Sequence, residues 1–364
     1  MNSILKNLQD PKSFQTYIDE YMKTSTYKAE WKNELKTVEY CAAKVYQANM
    51  ATYAAAMVGS VVAKNAERPL HTMPDWGQLT GSIGRIADEW ELDNDYLDQM
   101  HLLEGKYNDM ERRGGYTQLQ LNAKKDELIK YSFKPFELAV IAPHKRIDML
   151  YFEGLFKGTQ TVSRTNNSKA NVFYTFNLGV KQLSATTNWG EVNATPIEDI
   201  KKLKDEARKK GRKILRLRMS ENTFFAMCKA KEIKDTFRLN LGEITINPAA
   251  PMISVDQMNI YLRSILLPTI QIDEDKFVEL PDKTVFNLIP DNRVVAMCAD
   301  KVAVPKCAEC LEAIDPVDGV SYSTYDNNLI GYWRDKKGYH LTNEMWMQPV
   351  FDGIDDYFIL KVGA

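Results

Sequence analysis

The chain has 364 residues, and 47 Lys and Arg against 49 Asp and Glu leave a formal charge of -2. That near-balance excludes a nucleic-acid binder of the strongly basic kind, and 44% hydrophobic with 26% charged residues excludes a chain disordered throughout. At roughly 150 residues per domain, the length predicts two or three folded units.

The opening Met1-Asn2-Ser3-Ile4-Leu5-Lys6 has no charged segment leading into an apolar run, so no secretory signal is expected. The longest uncharged stretch lies between Lys44 and Lys64. It holds Gln47, Asn49, Thr52 and Ser60 and falls short of the roughly 20 apolar residues of a membrane span. Five scattered cysteines, Cys41, Cys228, Cys298, Cys307 and Cys310, suit free thiols in a reducing compartment.

In chain order, residues 1–40 are polar, with one short amphipathic helix marked by Phe14, Tyr17, Ile18 and Tyr21. This reads as an arm. Small residues from Met50 to Ala63, an irregular tip from Glu67 to Gly77, and alternation from Ser82 to Leu92 predict a long two-stranded excursion. A lone two-stranded ribbon is marginal in water, so it should lean on something else, a neighbouring subunit being one candidate.

Helical stretches follow at Asp95–Arg112 and about Gln118–Lys157, separated by Gly114-Gly115, with Pro135 and Pro143 either kinking or dividing the second. Gly158 suits its C-terminal cap. A strand is expected at Val172–Leu178. Thr195, Pro196 and Glu198 spell a capping box with proline at the first helical position. The helix they open carries Ile197, Ile200 and Leu203 on one face and is closed by Gly211. A strand over Ile214–Met219 leads to an N-cap at Ser220 and a second helix. Together these predict a compact α/β unit over roughly 190–310. Strands at Thr284–Ile289 and Arg293–Cys298 flank the turn Pro290-Asp291-Asn292. The tail, 320–364, is rich in Tyr and Trp with short strand-like runs.

Chemistry-bearing patterns are sparse. Cys307-Ala308-Glu309-Cys310 has CxxC spacing but stands alone, where a structural zinc needs four ligands. None of the four histidines, His71, His101, His144 and His340, adjoins a nucleophile motif, and GxSxG, HExxH and phosphate-loop patterns are absent. Gly81-Ser82-Ile83-Gly84 has the spacing of a nucleic-acid clamp, but in an alternating strand it reads as a turn or bulge. Glu198 and Asp199 sit in a first helical turn, where the helix dipole already explains them. No catalytic, cofactor or metal site is expected. The basic run from Lys201 to Arg218, broken by Asp205 and Glu206, reads as a solvated helix face. Its sharper alternative is a contact with nucleic acid or an acidic neighbouring chain. Tyr322, Tyr325, Tyr332, Trp333, Tyr339 and Trp346 read as core or interface packing.

The segment Trp189-Gly190-Glu191-Val192-Asn193-Ala194-Thr195-Pro196-Ile197-Glu198-Asp199-Ile200, with its lysine-rich helix, strand and Met219-Ser220 opening another helix, resembles tailed-phage major capsid proteins of the lambda capsid-protein-E-like family. Glu67–Pro74 with Leu79-Thr80-Gly81 looks like the tip and return of that family's extended loop, and Arg146–Gly158 like the end of its spine helix. Phe286–Met297 is similar to its late strand pair, with Asn292-Arg293 where a glycine turn is usual. The likeness covers roughly 65–300 in order.

The resemblance implies an α+β chain of the Hong Kong 97-type capsid fold. Its parts would be an N-terminal arm at 1–49, an extended β-hairpin loop at 50–94, a peripheral domain with the spine helix at 95–188, an axial α/β domain at 189–315, and a return to the peripheral domain at 316–364. It implies a structural protein that forms pentamers and hexamers and then an icosahedral shell around DNA, without catalysis, cofactor or membrane. Scaffold, portal and decoration proteins would be partners, and assembly would take place in the bacterial host cytoplasm to give a virion component. Arg68, His71 and Trp76 in the loop tip are the expected inter-subunit contacts. The competing readings are an encapsulin-like compartment shell and an unrelated intracellular enzyme.

Overall fold

In the computed structural model, which describes residues 10–25, 27–42, 44–50, 77–167, 172–240, 253–280, 282–336 and 338–363, the first element is helix α1, Pro11–Thr24. The Asp10 carboxylate accepts the Ser13 N–H at 2.9 Å, and Pro11 occupies the first helical position, where a missing N–H is harmless. Phe14 and Ile18 of the expected apolar stripe are buried, and Tyr17 stacks on Phe133 with ring centroids 4.1 Å apart. The helix of the arm thus packs its apolar face against its own chain.

A short helix α2, Trp31–Glu34, and strand β1, Glu39–Tyr40, precede strand β2, Val45–Met50. β2 pairs antiparallel with β3, Gly77–Ser82, forming the stem of a ribbon. The strand read as its return over Ser82–Leu92 is a separate element. β4, Arg85–Leu92, leaves the ribbon and pairs over eight residues with Tyr339–Trp346. Its alternation marks a strand covered on one face, with Ile86 and Trp90 turned to the core.

Helix α3, Asn94–Arg113, and helix α4, Gln118–Lys157, meet at Gly114 and Gly115, both with positive φ. α4 runs uninterrupted for 40 residues, about 60 Å at 1.5 Å per residue. Pro135 and Pro143 do not divide it. A helical proline strips the carbonyl four residues earlier of its donor, and here both carbonyls find another. The Tyr96 hydroxyl donates to Tyr131 O at 2.9 Å, while Asn343 Nδ2 and Asn328 Nδ2 donate to Ala139 O at 2.8 and 3.1 Å. Replacing Asn343 by leucine is expected to cost about 1–2 kcal/mol, since it leaves Ala139 O to the longer Asn328 bond and removes the acceptor of the Asp88 N–H. Adding Pro143→Ala, which restores the helical N–H, should recover the first part of that loss. An unchanged denaturation midpoint in Asn343→Leu would refute this account of the unbroken helix. As expected, Gly158 closes α4 in the left-handed region, φ 70, with its N–H on Gly154 O.

Strands β5, Thr159–Val162, and β6, Tyr174–Asn177, form a small antiparallel ribbon, followed by β7, Gln182–Ser184. Next come α5, Pro196–Lys209, β8, Arg216–Ser220, α6, Glu221–Lys229, α7, Lys231–Asn240, α8, Val255–Ser264, and β9, Thr269–Asp273. The capping box read at Thr195 and Glu198 does not form. Thr195 makes no side-chain cap bond, and the Glu232 carboxylate of α7 accepts the Ile197 N–H at 3.0 Å, so a tertiary acid serves the positive end of α5. The Ser220 cap is present, its side chain accepting the Thr223 N–H.

β10, Phe277–Glu279, pairs with β11, Val285–Asn287, so the strands on either side of Pro290-Asp291-Asn292 do not pair with each other. β12, Arg293–Met297, instead lies at the centre of a five-stranded mixed sheet in the order β7-β17-β12-β8-β9, where β17 is Tyr357–Lys361. The α/β unit expected over 190–310 therefore draws two strands from outside that range. The C-terminal tail does not return whole to the spine side. Its last strand is buried in this sheet, because Phe358 and Leu360 face the helices while Tyr357 and Ile359 face α4.

The remaining elements are β13, Val304–Ala308, α9, Leu311–Ile314, β14, Ser321–Tyr325, β15, Asn328–Arg334, and β16, Tyr339–Val350. They build a second sheet in the order β1-β13-β16-β15-β14, with β4 also on β16. The first half of α4 packs with α1 and this sheet, and its second half with α2 and the five-stranded sheet. No helix among the described residues is long and apolar enough to cross a membrane.

Candidate functional site

Cys307 lies in β13 and is buried, and the buried Cys310 donates its thiol to Glu344 O at 3.3 Å. Burial pushes both thiols up to about 11, so both are protonated near neutral pH and poor nucleophiles. Among the described residues, no three His, Cys, Asp or Glu side chains are grouped to hold a metal ion. Gly81 to Gly84 spans the end of β3 and the two residues that lead into β4, not a loop between two helices. Asp199 has a structural task beyond the helix dipole. Fully buried, it accepts the Trp189 indole N–H at 3.1 Å and the Thr186 hydroxyl at 3.2 Å, fixing the loop that enters α5.

The basic run separates into unlike parts. Lys209 pairs with Glu206 at 2.5 Å, Arg216 with Asp300 at 2.7 Å and Arg212 with Asp356 at 2.7 Å. The first is a solvated pair on the helix, as the plain reading expects, whereas the two arginines are half-buried and reach partners distant in sequence. Arg218 differs. It is 1% exposed, and its guanidinium grips Asp273 of β9 at 2.8 and 2.9 Å and Glu34 of α2 at 2.6 and 3.0 Å. The Tyr151 hydroxyl of α4 donates to the same Glu34 at 3.1 Å. The five-stranded sheet, the N-terminal segment and the long helix therefore meet at one doubly bidentate arginine. Burial opposes the guanidinium charge, but the two carboxylates outweigh it and raise the arginine pKa further. Sequence reading missed this role, since Arg218 differs from Arg216 in nothing but its later neighbours.

A second polar tie lies at the start of α2. The Trp31 backbone N–H donates to Asp148 at 2.8 Å and its indole N–H to His144 Nδ1 at 3.2 Å. Both acceptors project from α4, four residues apart, so one turn of helix receives one residue twice. In the aromatic tail, Tyr332 and Tyr339 stack within the core cluster that holds Phe14 and Phe136, in keeping with the packing reading. Arg68, His71 and Trp76 lie outside the described residues.

The described residues offer a ribbon stem, a long helix and two sheets joined by buried polar ties. No protein-family model matches the sequence and no curated protein matches it. Solved structures do match. A prophage protein of E. coli CFT073 assigned as a capsid protein superposes with a TM-score of 0.56 at 11% identity, over 97% of this chain and 99% of its own. A cyanophage A-1(L) capsid chain gives 0.48 at 12% identity over 93% and 94%, and a phage-related protein from Bordetella bronchiseptica RB50 gives 0.46 at 11% over 95% and 96%. With one long helix, two sheets and a ribbon stem superposing along nearly the whole of the first of these, the chain has the Hong Kong 97-type capsid fold.

Proposed function

We propose that the protein is the structural unit of a capsid shell, assembling through pentamers and hexamers into an icosahedral container for phage DNA. The observation that carries this is the end-to-end likeness to the prophage protein assigned as a capsid protein, covering 97% of one chain and 99% of the other. The β2–β3 stem is compatible with it, because a two-stranded ribbon needs a further surface, and among the described residues only its base packs on this chain, through Tyr46 and Ile83 against Ala308 and Val350. In this reading the five-stranded sheet with α5 to α8 faces the ring axis. Helix α4 with the second sheet forms the periphery, and the ribbon overlaps the adjacent subunit. Arg68, His71 and Trp76 are the proposed contacts of its tip. Scaffold, portal and decoration proteins are the proposed partners, with DNA held on the inner face without sequence specificity. The shell would be built in the host cytoplasm.

Negative-stain electron microscopy over a concentration series, with light scattering for mass, tests this. Rings, tubes or closed shells are expected. A protein that stays monomeric throughout, also when co-produced with the other virion components, overturns the proposal. Enclosed nucleic acid supports a phage shell, whereas a single enclosed protein cargo would replace it with a cellular compartment.

A further inference from the structure

Helices α5 and α8 end in the same hydrogen-bonded motif but with unlike residues. At the end of α5, Gly211 takes φ 69, its N–H reaches Arg208 O, and Arg212 N–H reaches Ala207 O, both at 2.9 Å. This is the six-to-one and five-to-two pattern that glycine favours. At the end of α8 the pattern repeats, with Leu266 N–H on Arg263 O at 3.0 Å and Leu267 N–H on Leu262 O at 2.8 Å. The left-handed position, φ 60, is here filled by a leucine. A leucine there is strained, because its Cβ crowds the following carbonyl oxygen. Its side chain gains little packing in return among the described residues, since Leu266 is 79% exposed. Strain combined with an exposed large apolar group points to a use outside the fold.

Leu266 stands in a groove of about 430 Å³ with Leu215 and Pro268 on its floor. Lys204, Arg208, Arg212 and Lys213 line it, and no carboxylate does. Lys204 reaches the Leu266 carbonyl at 2.6 Å, Arg212 is paired with Asp356, and Arg208 is 3.9 Å from Asp205. An occupant should therefore be apolar and acidic. This chain carries such a segment. From Glu309 to Asp318 there are four acids, Glu309, Glu312, Asp315 and Asp318, and no base. Leu311, Ile314 and Val317 are each more than half exposed along it. Among the described residues neither groove nor segment is covered, and their charges are complementary.

Resting on the shell reading above, we infer that the Leu266 groove receives the 309–318 segment of a second copy of this chain. Groove and segment are different patches, so the contact is heterologous, the kind that propagates into rings. Charge complementarity sets its register, and Leu266 with Ile314 and Leu311 supplies the apolar centre.

The test measures the concentration threshold for assembly together with the thermal midpoint. Leu266→Gly should leave the midpoint unchanged or higher, since strain is relieved, yet raise the threshold about tenfold. The double reversals Arg208→Glu with Lys213→Glu, and Asp315→Lys with Asp318→Lys, should each raise the threshold by a similar factor, and all four changes in one chain should restore it. Normal assembly by all of these variants overturns this contact and leaves the shell reading intact. A wild-type protein that never assembles removes both. If the Arg208 and Lys213 reversal abolishes DNA binding without moving the threshold, the groove is a nucleic-acid surface and the inference is again overturned.

Discussion

Replacing Arg218 by alanine is expected to destabilise the fold by about 3–5 kcal/mol, the range for removing one partner of a buried ion pair. The size follows from what is left behind rather than from what is lost. Asp273, with a side chain 5% exposed, and Glu34, at 21%, would face each other without the guanidinium that satisfies both. Burial already pushes Asp273 above the usual carboxylate value in spite of the arginine. It also acts to raise Glu34, but there Arg218 and Tyr151 prevail and hold the carboxyl below its usual value. Without Arg218 both would be driven upward together. Lysine should recover less than half of the loss, because a single ammonium cannot make two bidentate contacts. The damage should also have a direction. Glu34 ties α2 to β8 and β9, so amide exchange in 31–40 should accelerate more than that in α5 or α8. A loss below about 1 kcal/mol, as for a surface pair, or uniform exchange changes, would show that this arginine does not join the three parts.

The features legible in the sequence are those whose cause lies within a turn of the chain. Ser220, Gly158 and Gly211 were readable because a cap depends on the residue itself and on partners up to four positions away. Features set by distant partners were not. The unbroken course of α4 depends on Tyr96, Asn328 and Asn343, the last 204 residues from the carbonyl it serves. The cap of α5 comes from Glu232 and not from its own first turn. The place of β17 between β7 and β12 depends on pairings no local pattern encodes, although its run of four buried residues was visible as strand-like. The candidate surfaces divide in the same way. The basic run was plain in sequence, but only the fold separates Arg218 at a buried junction from Arg208 and Lys213 on an open rim. Leu266 carries no signal at all, because its strain arises from taking a position that a glycine normally marks.

The contributions of Asp148 and His144 to stability should oppose each other between about pH 4 and 6.5, and two single substitutions should each unmask one of them. Burial pushes Asp148 up to about 7, only partly countered by the Trp31 N–H. Its folded pKa lies above the unfolded value near 4. The contribution is therefore fully present below about pH 4 and is lost as pH rises through 7. Burial pushes His144 down to about 4, from an unfolded value near 6.5. Its contribution is present above 6.5 and is lost as pH falls through 4. At 1.36 kcal/mol per pH unit, each slope amounts to about 3–4 kcal/mol over its window, and the two oppose each other where they overlap. Asp148→Asn keeps an acceptor for the Trp31 N–H and removes the falling slope. This variant should gain stability from pH 4 to 6.5 and exceed the wild type at pH 8. His144→Gln keeps an acceptor for the Trp31 indole and removes the rising slope, so it should lose stability from pH 4 to 7. Urea midpoints measured across that range decide the matter. Parallel slopes in the two variants, or an Asp148→Asn protein weaker than wild type at pH 8, would mean that the carboxyl under Trp31 is not held protonated by its burial.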